Sequence, residues 1–250
     1  MFQDYKVHST LQNTTSKRSR AGVSVLIRNK HSDFVSNIKS ASPNIIWSRL
    51  KGHVFGIHSD IFQAAVYLPP LQSQWKAGED ILSVLEQEIH KFSKQGQTIL
   101  LGDFNARTAT LNDFIENDCQ DFTTTYNAYD LDKNWPKRNN ADCSFNKLGD
   151  ETLRSCIGNK LRILDGRVTG DLDGKLTSYH YNGASTVDYG IVSEHLQTIV
   201  LGFQVQALTP YSDHCPFTLK LFMLASLLRT GLKKRPGTAP GVRLTEVSVL

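Results

Sequence analysis

The sequence predicts a layered α/β protein whose sheets are mainly antiparallel or mixed, with helices packed outside them. Three observations lead there. Many short apolar runs are separated by polar turns bearing Gly, Pro or Asn, with no repeat of fixed period. Asp80 to Phe92 carries the best helical stripe in the chain: Ile81, Leu85, Ile89 and Phe92, with Leu82 alongside. Gly96 ends that segment, and the apolar run Gln97-Thr98-Ile99-Leu100-Leu101 follows as a buried strand.

The elements can be taken in order. Residues 1–20 are polar, end in Lys17-Arg18-Ser19-Arg20, and read as a poorly buried lead-in. Residues 21–28 form a strand apolar enough to be internal, and 32–39 a connector. Ile45 to Leu50 and Val54 to His58 alternate as strands joined across Lys51-Gly52-His53, and the next strand runs from Ile61 to Tyr67. Pro69-Pro70 stops it and fixes an extended exit, leaving Tyr67 at the strand's mouth. On its residues alone, Tyr67 reads either as a core aromatic or as a side chain opening onto the sheet edge. Glu79 and Asp80 suit the amino end of the long helix, Lys91 and Lys94 its carboxyl end.

Beyond the strand at 97–101, Leu111, Phe114 and Ile115 suggest a short helix, and residues 130–144 a surface loop. Leu148 to Ile157 can form a second helix, and Leu161 to Leu164 a strand. Gly170-Asp171-Leu172-Asp173-Gly174 is an acidic turn without the length or closing glutamate of a calcium loop. Thr177-Ser178-Tyr179 starts a strand, Asn182-Gly183 favours a tight hairpin, and Val187 to Ser193 returns. Residues 199–207 and 217–221 supply the last strands. The Leu-rich stretch at about 222–228 reads as an apolar helix. Beyond about 230, Gly and Pro punctuate a basic tail in which no regular structure is expected.

Composition is ordinary for a globular chain of 250 residues, 40% apolar and 21% charged, which is long enough to bury a real core. The net charge of +4 resides entirely in residues 221–250, where Arg229, Lys233, Lys234, Arg235 and Arg243 face only Glu246. The remainder is neutral, so any nucleic-acid affinity must come from local patches or a bound metal. Cys119, Cys143, Cys156 and Cys215 have neither CxxC spacing nor attendant histidines. Zinc and a disulfide framework are therefore not indicated, and a reducing, intracellular setting (nucleus or cytoplasm) is expected. No secretory signal opens the chain, which leaves the sequon Asn13-Thr14-Thr15 without consequence. The apolar run Leu221 to Leu228 is too short to span a bilayer.

The chemistry gathers around Gly102-Asp103-Phe104-Asn105 at the end of the buried strand. Alternation along a strand puts Asp103 and Asn105 on one face and Phe104 on the other. A carboxylate and an amide delivered together suit a metal-bound phosphate, or the water that attacks it. Asp188 near the start of a second strand, and Ser212-Asp213-His214-Cys215-Pro216 before a third, add two carboxylates and an imidazole. Mg²⁺ prefers such hard oxygen ligands and keeps several waters, so a few carboxylates suffice.

In that order, Gly102–Asn105, Val187-Asp188-Tyr189 and Ser212–Pro216 resemble the carboxyl half of the endonuclease/exonuclease/phosphatase superfamily. Tyr67-Leu68-Pro69-Pro70, Gly102 to Thr108 and Leu161 to Arg167 narrow the resemblance to the endonuclease domain of non-LTR (LINE-type) retrotransposons, over roughly residues 20–221. The resemblance implies a DNase I-like, two-sheet β-sandwich flanked by helices, acting on DNA with Mg²⁺, or Mn²⁺ as a substitute. It implies that Asp103 positions or deprotonates the attacking water and that Asn105 orients it and holds the phosphate; the base is either Asp103 or the Asp188–His214 pair. Asp188 would fix the tautomer of His214, His214 would contact a non-bridging phosphate oxygen, and Tyr67 would brace the phosphate. Asp213 would lie at or near the metal, with Thr177 and Ser185 shaping the pocket.

The chain departs from the pattern at its start. The family's first strand, with its asparagine, and the following segment, with the glutamate that is the principal metal ligand, have no counterpart. Glu79, Glu86 and Glu88 lie around the long helix, in the wrong region to replace it. An amino-terminally truncated domain is thus expected, with weak Mg²⁺ binding and exposed sheet edges that invite self-association. The alternatives are a non-catalytic remnant that binds DNA or protein, and a phosphatase acting on small phosphate esters.

Overall fold

The computed structural model describes residues 3–10, 22–70, 80–115 and 135–224 and the strand 243–249. Its centre is a six-stranded mixed sheet built from β3 (Val35–Ile38), β4 (Ile45–Leu50), β5 (Asp60–Tyr67), β6 (Gly96–Asp103), β7 (Leu161–Ile163) and β10 (Asp188–Ser193). The spatial order is β3-β4-β5-β6-β10-β7, with β5 and β6 parallel and every other pair antiparallel. Helix α1 (Ile81–Ser93) makes the crossover between β5 and β6, and α2 (Lys147–Gly158) precedes β7. A second sheet comprises β11 (Val200–Val205), β12 (Phe217–Met223) and β13 (Arg243–Val249). Two antiparallel ribbons, β1 (Tyr5–Ser9) with β2 (Ser24–Arg28) and β8 (Ser178–His180) with β9 (Gly183–Ser185), complete the architecture.

Alternation along the central strands feeds two cores. On β6, Leu100 turns toward α1, joining Ile81, Leu85, Ile89 and Phe92, the stripe that the helical spacing predicts. Ile99 and Leu101 turn the other way, against Phe203, Phe217 and Leu219 of the second sheet. Phe92 stacks on Phe62 with centroids 4.9 Å apart, and Trp47 packs beside it. Asp80 caps α1 by accepting from the Ser83 amide. Glu88 accepts from Trp47 Nε1 at 2.7 Å and from Ser40 and Ala41, so this carboxylate is committed to tying the helix to the sheet. Among the described residues, no helix is long and apolar enough to cross a membrane.

Several local expectations are corrected. Residues 24–28 form a strand, but an outlying one: among the described residues β2 pairs only with β1, which itself arises within the supposed lead-in, and Leu26 is exposed. Apolar composition specified the strand without specifying its place in a sheet. The connector at 32–39 contains edge strand β3. Gly52–Phe55 is a 3₁₀ turn where a strand is expected. Gly56 in the left-handed region (φ 74°) closes it, and Val54 and Phe55 reach the core from the turn. Residues 111–115 carry no helix. The apolar stretch after 221 begins by continuing β12 to Met223, and residues 243–249 pair along the whole of β12. The lead-in at 11–20 (with Lys17–Arg20 and the sequon), Glu79, Cys119, loop residues 130–134, the apolar run 225–228 and the tail cations Arg229 to Arg235 lie outside the described residues.

Candidate active site

Strand register alone brings three of the expected residues into a row. β5 and β6 run parallel, so they end at the same edge, and there Tyr67 pairs with Asp103. β10 runs antiparallel to β6 and starts at that edge, where Asp188 pairs with Asp103. Close approach of β6 to β5 needs a glycine just before the acid. A Cβ on Gly102, at φ 145°, would meet the Val66 carbonyl oxygen at 2.0 Å.

After Asp103 the chain leaves the strand. Asn105 adopts a left-handed conformation (φ 47°), one that asparagine tolerates better than most residues. The turn returns both of its donors to the acid: Asn105 N–H donates to Asp103 Oδ1 at 2.8 Å and Nδ2 to Oδ2 at 3.0 Å. Nδ2 also donates to the Leu68 carbonyl at 2.8 Å. The two side chains therefore meet through a turn instead of by strand alternation. Burial, and then the charge of Asp188, push the Asp103 carboxyl up to about 7 against those donors and His214. The same acid, after burial, raises the half-buried Tyr67 phenol.

His214 comes from the loop before β12. Its Nδ1 lies 2.8 and 3.0 Å from the two Asp188 oxygens, an arrangement in which the ring donates to a carboxylate. The hydrogen bond to Asp188 lifts the imidazole to about 9, although its partial burial opposes this. Thr177 is fully buried, and its Oγ1 accepts from the amides of Val187 and Asp188, both at 3.1 Å, which pins the start of β10. Ser185 holds Thr177 in turn, its carbonyl accepting the Thr177 amide at 2.9 Å.

Asp103, Asp188 and His214 offer ligand atoms that lie within 4.8 Å of one another, and no glutamate joins that group among the described residues. Asp213 is not a member either. Its carboxylate lies 3.1 Å from His180 Nδ1, and both side chains are about half exposed. Ser178 and His180 are thus site residues absent from the expectations, with Ser178 Oγ 3.1 Å from His180 Nε2 and 3.3 Å from His214 Nε2. Alternation along Ser178-Tyr179-His180 could have found them, since it puts the hydroxyl and the imidazole on one face.

The donor set suits a hard divalent cation. Two carboxylates face each other at the end of the sheet, and the charge of Asp188, which adds to burial in raising the Asp103 carboxyl, is one that a cation would relieve. His214 engages Asp188 and Ser178 through its two nitrogens, which leaves carboxylate oxygens as the principal ligands.

Two face-to-face sheets with helices over one of them make this a DNase I-like fold. Solved structures share it. The endonuclease domain of TRAS1, a telomere-specific non-LTR retrotransposon, superposes with a TM-score of 0.53 at 16% identity, covering 86% of this chain and 76% of its own. The 3′ phosphatase NExo from Neisseria, bound to product DNA hairpin, gives 0.53 at 17% identity over 86% and 79%. The AP endonuclease LMAP of Leishmania major gives 0.55 at 12% over 85% and 69%. No protein-family model and no curated protein matches the chain. These superpositions show the shared fold, and at such identities they distinguish no single relative.

Proposed function

We propose that this chain hydrolyses phosphodiester bonds in DNA with the aid of Mg²⁺, which Mn²⁺ can replace, nicking one strand as the resemblance to retrotransposon endonucleases implies. The observation that carries the reading is the convergence of Asp103, Asp188 and His214 within 4.8 Å. A hard cation held by Asp103 and Asp188 would supply charge neutralisation at the phosphate and ease ionisation of water. Asp103, whose oxygens the turn through Asn105 keeps aimed, accepts the proton of the attacking water. His214, held cationic by Asp188, donates to a non-bridging phosphate oxygen. Tyr67, in register with Asp103, offers its hydroxyl to the same phosphate.

The test is Mg²⁺-dependent nicking of supercoiled plasmid by the purified chain, with Asp103→Ala and His214→Ala as controls. Nicking that both substitutions abolish supports the reading. A folded chain that nicks nothing favours a non-catalytic module that has kept the fold. A second reading is removal of a terminal phosphate from DNA, suggested by the equal likeness to a protein described as a 3′ phosphatase. Release of inorganic phosphate from a 3′-phosphorylated oligonucleotide, without plasmid nicking, would select it.

A further inference from the structure

Beside the Asp188–His214 pair lies a second one with the same chemistry. Asp213 Oδ2 is 3.1 Å from His180 Nδ1, and the His180 ring stands edge-on to His214 with centroids 6.1 Å apart. Ser178 Oγ sits between them, 3.1 Å from His180 Nε2 and 3.3 Å from His214 Nε2. The result is one unbroken chain: Asp213, His180, Ser178, His214, Asp188.

Its frame is rigid where it matters. Ser178 is buried and bridges His214 through the backbone. On either side, the Tyr179 amide donates to the Asp213 carbonyl at 2.8 Å and the Cys215 amide to the Thr177 carbonyl at 2.7 Å. β8 is thereby fastened to the segment that carries His214. Both carboxylates only accept, so each ring donates from Nδ1. The Ser178 hydroxyl has one proton and two lone pairs, so it can meet both Nε2 atoms at once.

We propose that His180, oriented by Asp213, is a positioning residue that fixes the ring of His214 through the Ser178 hydroxyl. Held at both nitrogens, the His214 ring is fixed in orientation about its side-chain bonds. Asp213 accordingly serves the site through His180. This assignment rests on the phosphodiester reading for its consequence in turnover, but not for its geometry.

The experiment compares wild type with Ser178→Ala, His180→Phe, His180→Gln and Asp213→Asn. The ring nitrogens of His214 are observed by ¹⁵N NMR in the cation-free protein, and plasmid nicking is then measured with Mg²⁺. In wild type the Nε2 shift is that of a hydrogen-bonded nitrogen. Ser178→Ala and His180→Phe move the Nε2 shift and leave Nδ1 in place, and kcat falls about five- to tenfold, the effect of one hydrogen bond. His180→Gln, which retains a hydrogen-bonding group, recovers part of both. Exposed Asp213→Asn, which leaves the core untouched, gives an intermediate loss. An Nε2 shift that is unchanged in His180→Phe and Asp213→Asn overturns the proposal, as does its movement with no change in kcat. If wild type nicks nothing, the phosphodiester reading falls, and the ring-nitrogen comparison still decides the positioning.

Discussion

Asp188 lies directly across from Asp103, the two paired in register on antiparallel neighbours β10 and β6. Like charges directly opposed on a sheet are destabilising, and here Asp188 is buried and Asp103 partly so. Such a pair persists when something else satisfies it, and His214 is bound to only one of the two acids. Cation binding should therefore stabilise the fold. In thermal unfolding, Mg²⁺ at ten times its Kd should add about 1.4 kcal/mol to the wild type. Asp103→Asn and Asp188→Asn should each lose that increment. A midpoint indifferent to Mg²⁺ in all three proteins would remove the metal from the site.

Asn105 does two jobs that can be separated by substitution. Its backbone occupies the left-handed region and its amide holds Asp103 and the Leu68 carbonyl. Asn105→Gly keeps the first and loses the second, at about 1 kcal/mol in urea unfolding. Asn105→Ala loses both and should cost roughly 1 kcal/mol more, the penalty for a Cβ at positive φ. Equal urea midpoints for the two variants would show that the turn relaxes.

The parts of the molecule legible in sequence were those fixed by local pattern. The α1 stripe, the strand into Asp103 and the order of the acids needed only periodicity and the neighbours of Gly102 and Pro69. The proline stop after it puts Tyr67 at the mouth of its strand, where β5 ends. What sequence could not supply was register. Nothing local says that Asp188 faces Asp103, or that β2 pairs outside the main sheet. Short apolar runs were also ambiguous: Val54 and Phe55 reach the core from a 3₁₀ turn as readily as from a strand. Asp213 was read by its neighbour His214, yet a strand 33 residues upstream holds its partner His180.

Arg107 ties the loop after β6 to the loop before α2. Its Nε and Nη2 each donate to a different oxygen of the buried Asp142 at 2.7 Å, and Asp142 also accepts the Thr186 amide two residues before Asp188. Burial alone would raise the Asp142 carboxyl, but Arg107 and the backbone donors hold it below its ordinary range. Arg107→Met strands that carboxylate and should cost ~2–3 kcal/mol, less than for a fully buried pair because Arg107 is about a third exposed. Adding Asp142→Asn should return part of the loss. The double-mutant cycle in urea checks this, and strictly additive losses would deny the coupling.

Asp165 gives the clearest dependence of stability on pH. It is wholly buried beneath β10, where Oδ2 accepts the Gly190 amide at 3.2 Å and Oδ1 finds no partner. Burial pushes its carboxyl up to about 8, with Asp171 adding and Arg138 opposing. In the unfolded chain the same group titrates near 3.8. Between those two values the folded protein retains a proton that the unfolded protein has released. The unfolded state then binds fewer protons, so stability falls as pH rises through the window and levels off above it. Asp165→Asn carries no such charge and keeps an oxygen for Gly190. The wild-type urea midpoint should therefore drop from about pH 5 to about pH 8 by more than the variant's. Parallel profiles would mean that Asp165 is ionised in the core, which would require Arg138 to pair with it more strongly than its observed bond to the Asp165 backbone carbonyl allows.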